Sequence, residues 1–168
     1  MSSEIRWLES YSGQTTDELL ALEGTYRTDS IVLAFEQALG QKDSKRGYNF
    51  LSPEEIVVLA VESLEREVNN GGYGQFFANT PEFTPFILNS LNWIGCINTA
   101  ALTQEAINAL AIAGLPDNGA VHQAMRRDDA ERDRILDACT DKYFSDASDL
   151  ASPLLDFIKR HRTKIVVP

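Results

Sequence analysis

The amino-acid sequence predicts an all-α protein, a single globular helical domain of about seven or eight helices with an N-terminal helical extension. Apolar residues recur with the period of about 3.6 residues that is typical of helices. Runs in which β-branched and polar residues alternate are too short for a sheet. At 168 residues, 43% of them hydrophobic, the chain is long enough to bury a core without metal or disulfides.

Two helices are expected near the N-terminus. Thr16-Asp17-Glu18-Leu19 starts the first, in which apolar side chains recur on one side as far as Tyr26. The second is predicted over residues 28 to about 40. Residues 41–49 carry four charged side chains and Gly47, a composition typical of a linker. We therefore divide the chain into an N-terminal helical extension, residues 1–47, and an acidic helical domain, residues 48–168.

The third helix has the clearest start and end. Ser52-Pro53-Glu54-Glu55 is a capping box with proline at the first helical position, and Gly71-Gly72 ends the helix. At about 100° per residue, the acids of this helix share one side and its apolar residues share the other. Glu67 is the exception, because it falls on the buried side just before an Asn-Asn-Gly-Gly turn.

Four further helices follow. They are predicted from Thr80 or Thr84 to about residue 95, over residues 103–113, from about Asp117 or Asp128 to residue 144, and from residue 148 to about 161. Thr80-Pro81 and Thr84-Pro85 both resemble the start of the first of these helices, and Gly114 and Pro116 mark the end of the second.

The net charge of -10 is concentrated in the middle of the sequence. Residues 1–47 have eight acidic and five basic side chains, residues 48–125 have eight acidic side chains and only Arg66, and residues 126–168 have nine of each. Such a field repels nucleic acid and anionic lipid and speeds encounters with basic proteins. We therefore expect a basic protein as partner and no direct binding of nucleic acid, although the same charge could serve solubility alone.

Cys96 and Cys139 lie far apart in apolar contexts, so we interpret them as reduced core thiols. The longest purely apolar run, residues 56–61, is far shorter than the ~20 residues of a membrane span. Met1-Ser2-Ser3-Glu4 lacks the basic start of a signal peptide. We predict a cytoplasmic protein without a membrane role.

Catalytic motifs such as HExxH and GxSxG are missing from the sequence, and His122 and His161 are not spaced as metal ligands with either cysteine. His122 is expected at the surface, and His161 at the end of the last helix, where a cation suits the helix dipole. The acids of residues 128–133 alternate with arginines, which favours a salt-bridged face over a metal site. We expect no enzymatic activity, no metal and no cofactor.

The Asn-Asn-Gly-Gly turn has two interpretations. In the first it is architecture, because glycine supplies the positive φ that ends a helix and lets aromatic side chains pack against bare backbone. In the second it forms a polar pocket, because a buried carboxylate needs hydrogen-bond donors. The residues of this motif are Glu67, Asn69, Asn70, Gly71, Gly72, Tyr73, Gln75, Phe76, Phe77 and Asn79.

Two sets of carboxylates are candidates for binding a partner. One lies on the third helix, and the other recurs every four residues on a later helix, opposite its apolar side. Four residues rise ~6 Å along a helix, whereas a DNA strand carries one phosphate per ~3.4 Å. Imitation of a duplex would therefore need at least two acidic helices or a dimer. The candidate residues are Glu54, Glu55, Glu62 and Glu65, and Asp129, Asp133, Asp137 and Asp141.

The stretch from the capping box through Asn70-Gly71-Gly72-Tyr73-Gly74-Gln75-Phe76-Phe77 resembles the signature of the bacterial DNA-mimic-protein domain family, formerly a domain of unknown function. The similarity extends over about residues 50–163. The resemblance implies an all-helical, dimeric fold without enzymatic activity. For the best-known type it also implies a negative surface that occupies the DNA-binding face of a transcription factor.

We therefore predict a non-enzymatic acidic protein-binding module, and more specifically a DNA mimic that occupies the basic surface of a DNA-binding protein such as a transcription factor. Two alternatives stay open. One is a small-ligand-binding protein or enzyme that uses the polar turn around Glu67, and the other is an immunity-type protein that neutralises a basic toxin. A raised pKa or an open cavity at Glu67 would favour a ligand site, whereas a carboxylate sealed in hydrogen bonds would count against it.

Overall fold

The computed structural model describes residues 4–146 and 148–168, and this part of the chain is all-α, as predicted. Its strand-like pairing is limited to isolated bridges of Tyr26 with Arg6 and with Glu23. Two short 3₁₀-helices accompany the α-helices, at Tyr48–Phe50 and Pro81–Phe83. The α-helices are α1 Thr16–Leu20, α2 Thr28–Arg46, α3 Pro53–Asn79, α4 Thr84–Trp93, α5 Ile97–Ala109, α6 Asn118–Met125, α7 Ala130–Asp146 and α8 Ala151–Arg160.

Contacts divide the chain into two compact units. The split unit consists of Met1–Glu62 and Ala151–Pro168, and the continuous unit consists of Ser63–Leu150. The predicted division after residue 47 into an extension and a domain stays a prediction. None of the helices in the described residues is both long and apolar enough to cross a membrane.

In the split unit, α1 begins where the sequence predicted but ends earlier. Thr15 caps it together with Glu18, whose carboxylate accepts a hydrogen bond from the Thr15 backbone N–H at 2.8 Å. The predicted continuation to Tyr26 is wrong, because the backbone after Leu20 turns to pair with the N-terminal segment. The N–H of Arg6 donates to the carbonyl of Thr25 at 3.1 Å.

Residues 41–46 are helical, so the predicted linker over residues 41–49 is also wrong for most of its length. Lys45 and Arg46 lie in the last turn of α2, where cations suit the negative end of the helix dipole. Gly47 then ends the helix with a φ of +86°. Two of the four charges that suggested a linker therefore stabilise a helix end.

The last helix of the split unit, α8, packs on α2 through the predicted apolar side chains. Leu154, Leu155, Phe157 and Ile158 are all buried. His161 follows the helix and packs against Phe157, with ring centroids 4.4 Å apart, so it occupies the expected place at the helix end.

In the continuous unit, α5 packs against both α4 and α7. The long helix predicted from Asp117 or Asp128 is two helices, α6 and α7. An aspartate starts each one: the Asp117 carboxylate accepts from the N–H of Ala120 at 2.8 Å, and the Asp129 carboxylate accepts from the N–H of Arg132 at 3.0 Å. The predicted start at Asp117 is confirmed, the second start lies at Asp129, one residue after the predicted Asp128, and the sequence between the two helices breaks the helix.

Helix α5 deviates from the prediction at both ends. It begins six residues before the predicted start at residue 103, after a turn at Gly95 with a φ of +85°. It ends at Ala109 rather than at the predicted residue 113.

Both cysteines are free thiols, with Cys139 buried and Cys96 half-buried. Burial raises the pKa of each thiol. His122 is exposed, as expected.

Candidate functional site

The motif at the centre of the chain is a sharp break within α3. Gly72 has φ +77° and ψ -176°, a combination that is open essentially only to glycine. In an unbroken helix, residues twelve positions apart would lie about 18 Å apart along the axis. Asn79 nevertheless donates to Glu67 at 2.9 Å. The chain after the break therefore turns back over the residues before it.

Glu67 lies inside this fold-back and is surrounded by donors. Its Oε2 accepts hydrogen bonds from the side-chain amides of Gln75 and Asn79, each at 2.9 Å, and its Oε1 accepts from Nε of Arg66 at 3.1 Å. Only 7% of the residue is exposed. Glu67, Gln75 and Asn79 form what we call the Glu67 cluster.

The Glu67 cluster holds a charged carboxylate. Burial on its own would raise the pKa of Glu67, but the hydrogen bonds from Gln75, Asn79 and Arg66 together outweigh burial and hold this pKa below its usual range. A general acid or base at neutral pH would need a raised pKa and a free oxygen. The arrangement therefore counts against a catalytic or ligand-binding role for Glu67.

The aromatic residues of the motif belong to the core. Tyr73, Phe76 and Phe77 are fully buried. The Tyr73 hydroxyl is 2.8 Å from the Thr103 hydroxyl, and the backbone N–H of Tyr73 donates to Oγ1 of Thr140 at 3.0 Å. Burial raises the pKa of Tyr73. The motif thus ties the fold-back to α5 and α7.

The two asparagines before the break do not join the Glu67 cluster. Asn69 donates through Nδ2 to the backbone carbonyl and the carboxylate of Glu65, at 2.7 and 2.9 Å. Glu65 also accepts a hydrogen bond from the Tyr143 hydroxyl. Asn70 is exposed. The pocket suggested by the sequence is therefore reduced to Gln75 and Asn79 around a sealed carboxylate.

The glutamates of α3 do not form the exposed acidic face expected from the sequence. Glu55 is 1% exposed and Glu62 is 6% exposed, while Glu54 and Glu65 are half-buried. All eight residues from 57 to 64 are buried, so this part of the helix has no solvent side. The helical wheel assumed an amphipathic surface helix, whereas a helix that is apolar nearly all round is a buried one.

Glu55 has a structural role of its own. Its Oε2 accepts from the backbone N–H of Ser52 at 3.0 Å, which completes the capping box. Its Oε1 accepts from Nζ of Lys42 at 2.6 Å and from the backbone N–H of Val166 at 2.9 Å. Lys42 also donates to the Val166 carbonyl at 3.0 Å. This buried ion pair therefore fixes the last residues of the chain in the split unit.

The second candidate set is exposed, in contrast to the first. Asp129, Asp133, Asp137 and Asp141 all face solvent. Asp133 is paired with Arg132 at 2.7 Å, yet its side chain is still 59% exposed. In the described part of the chain, no side chain pairs with the carboxylates of Asp137 and Asp141. Together with Asp133, these two residues form what we call the α7 stripe.

Two residues of α7 were missed by the sequence analysis. Arg132 is 6% exposed, and its Nη1 donates to the carbonyls of Ala124 and Arg127 at 2.6 and 2.9 Å, so it joins α6 to α7. Phe144 is 50% exposed and lies seven residues after Asp137, which places it on the side of the α7 stripe. The apolar side of α7 was predicted from the periodic spacing of its residues. Phe144 lies alone on the polar side, so no periodic pattern marked it.

Charge is unequal between the units. The continuous unit has thirteen acidic and six basic side chains, and the split unit has twelve acidic and nine basic ones. Most acids of the continuous unit are exposed, the buried Glu67 and the half-buried Glu65 being the exceptions. The negative surface of the protein is therefore mainly a property of residues 63–150.

A family model described as DMP19-like protein matches residues 49–161, about two thirds of the chain. A comparison with curated proteins and a comparison with solved structures each found no match.

Proposed function

Because this chain belongs to the DMP19-like protein family, we propose that it is a non-enzymatic acidic module that binds a basic, DNA-binding protein as a DNA mimic. A transcription factor is the partner class that we favour. The observation that carries this proposal is the α7 stripe. Its carboxylates are exposed, they recur about every 6 Å along the helix, and they lie in the more acidic unit.

The stripe alone is too sparse to match the phosphates of a DNA strand, which repeat about every 3.4 Å. The glutamates of α3 cannot supply the missing charge, because two of the four are buried. We therefore assign the remaining charge to other exposed acids of the continuous unit, such as Asp128 and Asp146, or to a second copy of the chain.

Phe144 adds an apolar contact to this surface. Exposed aromatic residues at interfaces often contribute more binding free energy than the charges around them. A partner that fits would offer a row of basic side chains next to an apolar recess. Its capture would then depend on salt through the carboxylates and would keep a salt-resistant part through the aromatic ring.

Affinity capture from native lysate, at low and at high salt and with duplex DNA as competitor, tests the proposal. Asp137→Asn with Asp141→Asn removes two charges from the stripe without changing side-chain size. Glu4→Gln with Glu9→Gln is the matched control, because it removes the same charge from exposed residues of the split unit.

The expected result is a DNA-binding protein that duplex DNA displaces, that the stripe variant captures poorly, and that the control variant captures normally. Equal capture by the two variants would remove the stripe from the proposal. Capture of a basic toxin as the main partner would favour an immunity-type function on the same surface, and recovery of no protein would leave the charge as a solubility feature.

A further inference from the structure

The sequence contains two Asn-Gly pairs, Asn70-Gly71 and Asn118-Gly119, and all four residues are exposed. In such a pair the backbone nitrogen after asparagine is unusually accessible, because glycine has no Cβ to shield it. Sequence alone therefore makes both pairs equal candidates for the same chemical modification, the spontaneous loss of the asparagine side-chain amide.

The reaction needs only water. The backbone nitrogen of the glycine gives its proton to hydroxide and attacks Cγ of the asparagine. A bond forms between this nitrogen and Cγ, the bond from Cγ to the side-chain nitrogen breaks, and ammonia leaves. Water then adds across one of the two carbonyl–nitrogen bonds of the resulting five-membered imide. The product is an aspartate or an isoaspartate, and no oxidation or reduction takes place.

The structure protects the first pair. Gly71 lies at the break in α3, where its backbone, with φ -163° and ψ 19°, is not helical, so its protection comes from a side chain. A Cβ on Gly71 would be only 2.0 Å from Oε1 of Gln75, so the side chain of Gln75 lies directly over this peptide unit. Gln75 is itself held by its 2.9 Å hydrogen bond to Glu67. The rotation that brings the Gly71 nitrogen to Asn70 would disrupt the Glu67 cluster.

The second pair has no such cover. Gly119 is the second residue of α6, and the first N–H groups of a helix have no partner within it. The Asp117 cap is occupied by the neighbouring N–H of Ala120. A Cβ on Gly119 would meet only Oδ1 of Asp117, at 3.6 Å. Fraying of this first turn is enough to bring the two reacting atoms together.

We propose that Asn118 is a site of spontaneous deamidation in the folded protein and that Asn70 is not. The modification replaces a neutral amide with a carboxylate, so the net charge becomes one unit more negative than -10. An aspartate at this position lies in the first turn of α6, where negative charge suits the helix dipole. An isoaspartate instead adds a methylene to the main chain next to the Asp117 cap and loosens the start of α6.

Mass spectrometry of peptides from the full chain after incubation at neutral and mildly alkaline pH tests the proposal. Trypsin is unsuitable, because residues 67–125 contain no lysine or arginine and both pairs fall in one peptide. Chymotrypsin, which cleaves after the aromatic residues between them, separates the pairs. A denatured sample gives the intrinsic rate of each pair, and Gly119→Ala and Asn70→Gln serve as variants.

The denatured chain is expected to modify both pairs at similar rates. In the folded chain, Asn118 is expected to react at least about tenfold faster than Asn70, because its peptide unit opens locally far more often. The Asn118 rate is expected to rise in proportion to hydroxide, to fall strongly in Gly119→Ala and to stay the same in Asn70→Gln. Faster reaction at Asn70, or no reaction at Asn118 in the folded chain, would overturn the proposal.

Discussion

Replacing Gly72 with alanine tests whether the break in α3 depends on glycine. The backbone at this residue, with φ +77° and ψ -176°, costs a side-chain-bearing residue about 1–3 kcal/mol. The new Cβ would also lie 2.7 Å from Oγ1 of Thr140. Thr140 would have to move, and the backbone N–H of Tyr73 would lose its acceptor, at a cost of about 1–3 kcal/mol. The expected total loss is about 2–6 kcal/mol.

Gly74 provides the matched control two residues later. It lies in the helical segment after the break, its φ is not positive, and a Cβ there would meet no atom within 4 Å. Gly74→Ala should therefore stabilise the protein by about 0.5–1 kcal/mol, as expected for glycine in a helix interior. Urea denaturation of both variants, followed by circular dichroism, measures the two free energies of unfolding.

A double-mutant cycle separates the two costs of Gly72→Ala. In a Thr140→Ala background the clash with Oγ1 is gone, and only the backbone strain of about 1–3 kcal/mol should remain. Equal destabilisation by Gly72→Ala and Gly74→Ala, or a Gly72→Ala protein as stable as the original, would refute the reasoning from backbone geometry.

Three further predictions concern other residues. Glu55→Gln leaves the ammonium of Lys42 without its buried counter-charge, so it should lower the free energy of unfolding by about 3 kcal/mol in urea titrations. The control is Glu54→Gln at the half-buried neighbouring residue, which should change this free energy by less than about 0.5 kcal/mol. Glu67 has a lowered pKa in the folded state, so its contribution to stability is complete above its unfolded pKa of about 4.3 and is lost as pH falls through its folded pKa. Glu67→Gln should therefore be less stable at neutral pH and show a shallower loss of stability on acidification; an unchanged acid limb would contradict the assignment. Phe144→Ala should lower the free energy of unfolding by only about 0.5–1.5 kcal/mol, because the half-exposed ring loses its edge contact with Tyr143. It should also reduce partner capture at high salt. Capture equal to that of the unaltered protein would remove the ring from the proposed interface.

Local chemistry made part of the fold predictable. The capping box at Ser52 and the break at Gly71-Gly72 depend on a few neighbouring residues, and both are present in the structure. The capping box also held information that the sequence analysis did not use. Its fourth residue, Glu55, must turn back to the helix start, so it could not at the same time be a free surface acid.

The two candidate acidic sets differ in exposure because the helices that carry them differ in how much of their circumference is apolar. Helix α7 has polar residues on its outer side, so the helical wheel placed the α7 stripe correctly. Residues 56–61 are apolar without interruption, which is typical of a helix covered on all sides, and Glu62 follows them into the interior. The unbroken apolar run was the stronger signal for this stretch of α3.

Contacts between residues far apart in the sequence could not be predicted. Glu55 and Val166 are 111 positions apart, and no periodic pattern connects them. Around Glu67, donors were expected, but the selection of Gln75 and Asn79 over Asn69 and Asn70 depends on the direction in which the chain leaves Gly72. That direction is set by the φ and ψ angles of Gly72, and the sequence shows only that this residue is a glycine.

The division of the chain between its two units has a consequence for the order of folding during synthesis. Ser63–Leu150 is synthesised as one uninterrupted segment, so every residue of the continuous unit precedes residue 151 in the order of synthesis. The split unit must wait for Ala151–Pro168, because α8 and the Val166 N–H that donates to Glu55 are translated after the continuous unit. Until then the Glu55 carboxylate lacks its Val166 donor, and α2 lacks the helix that packs on it.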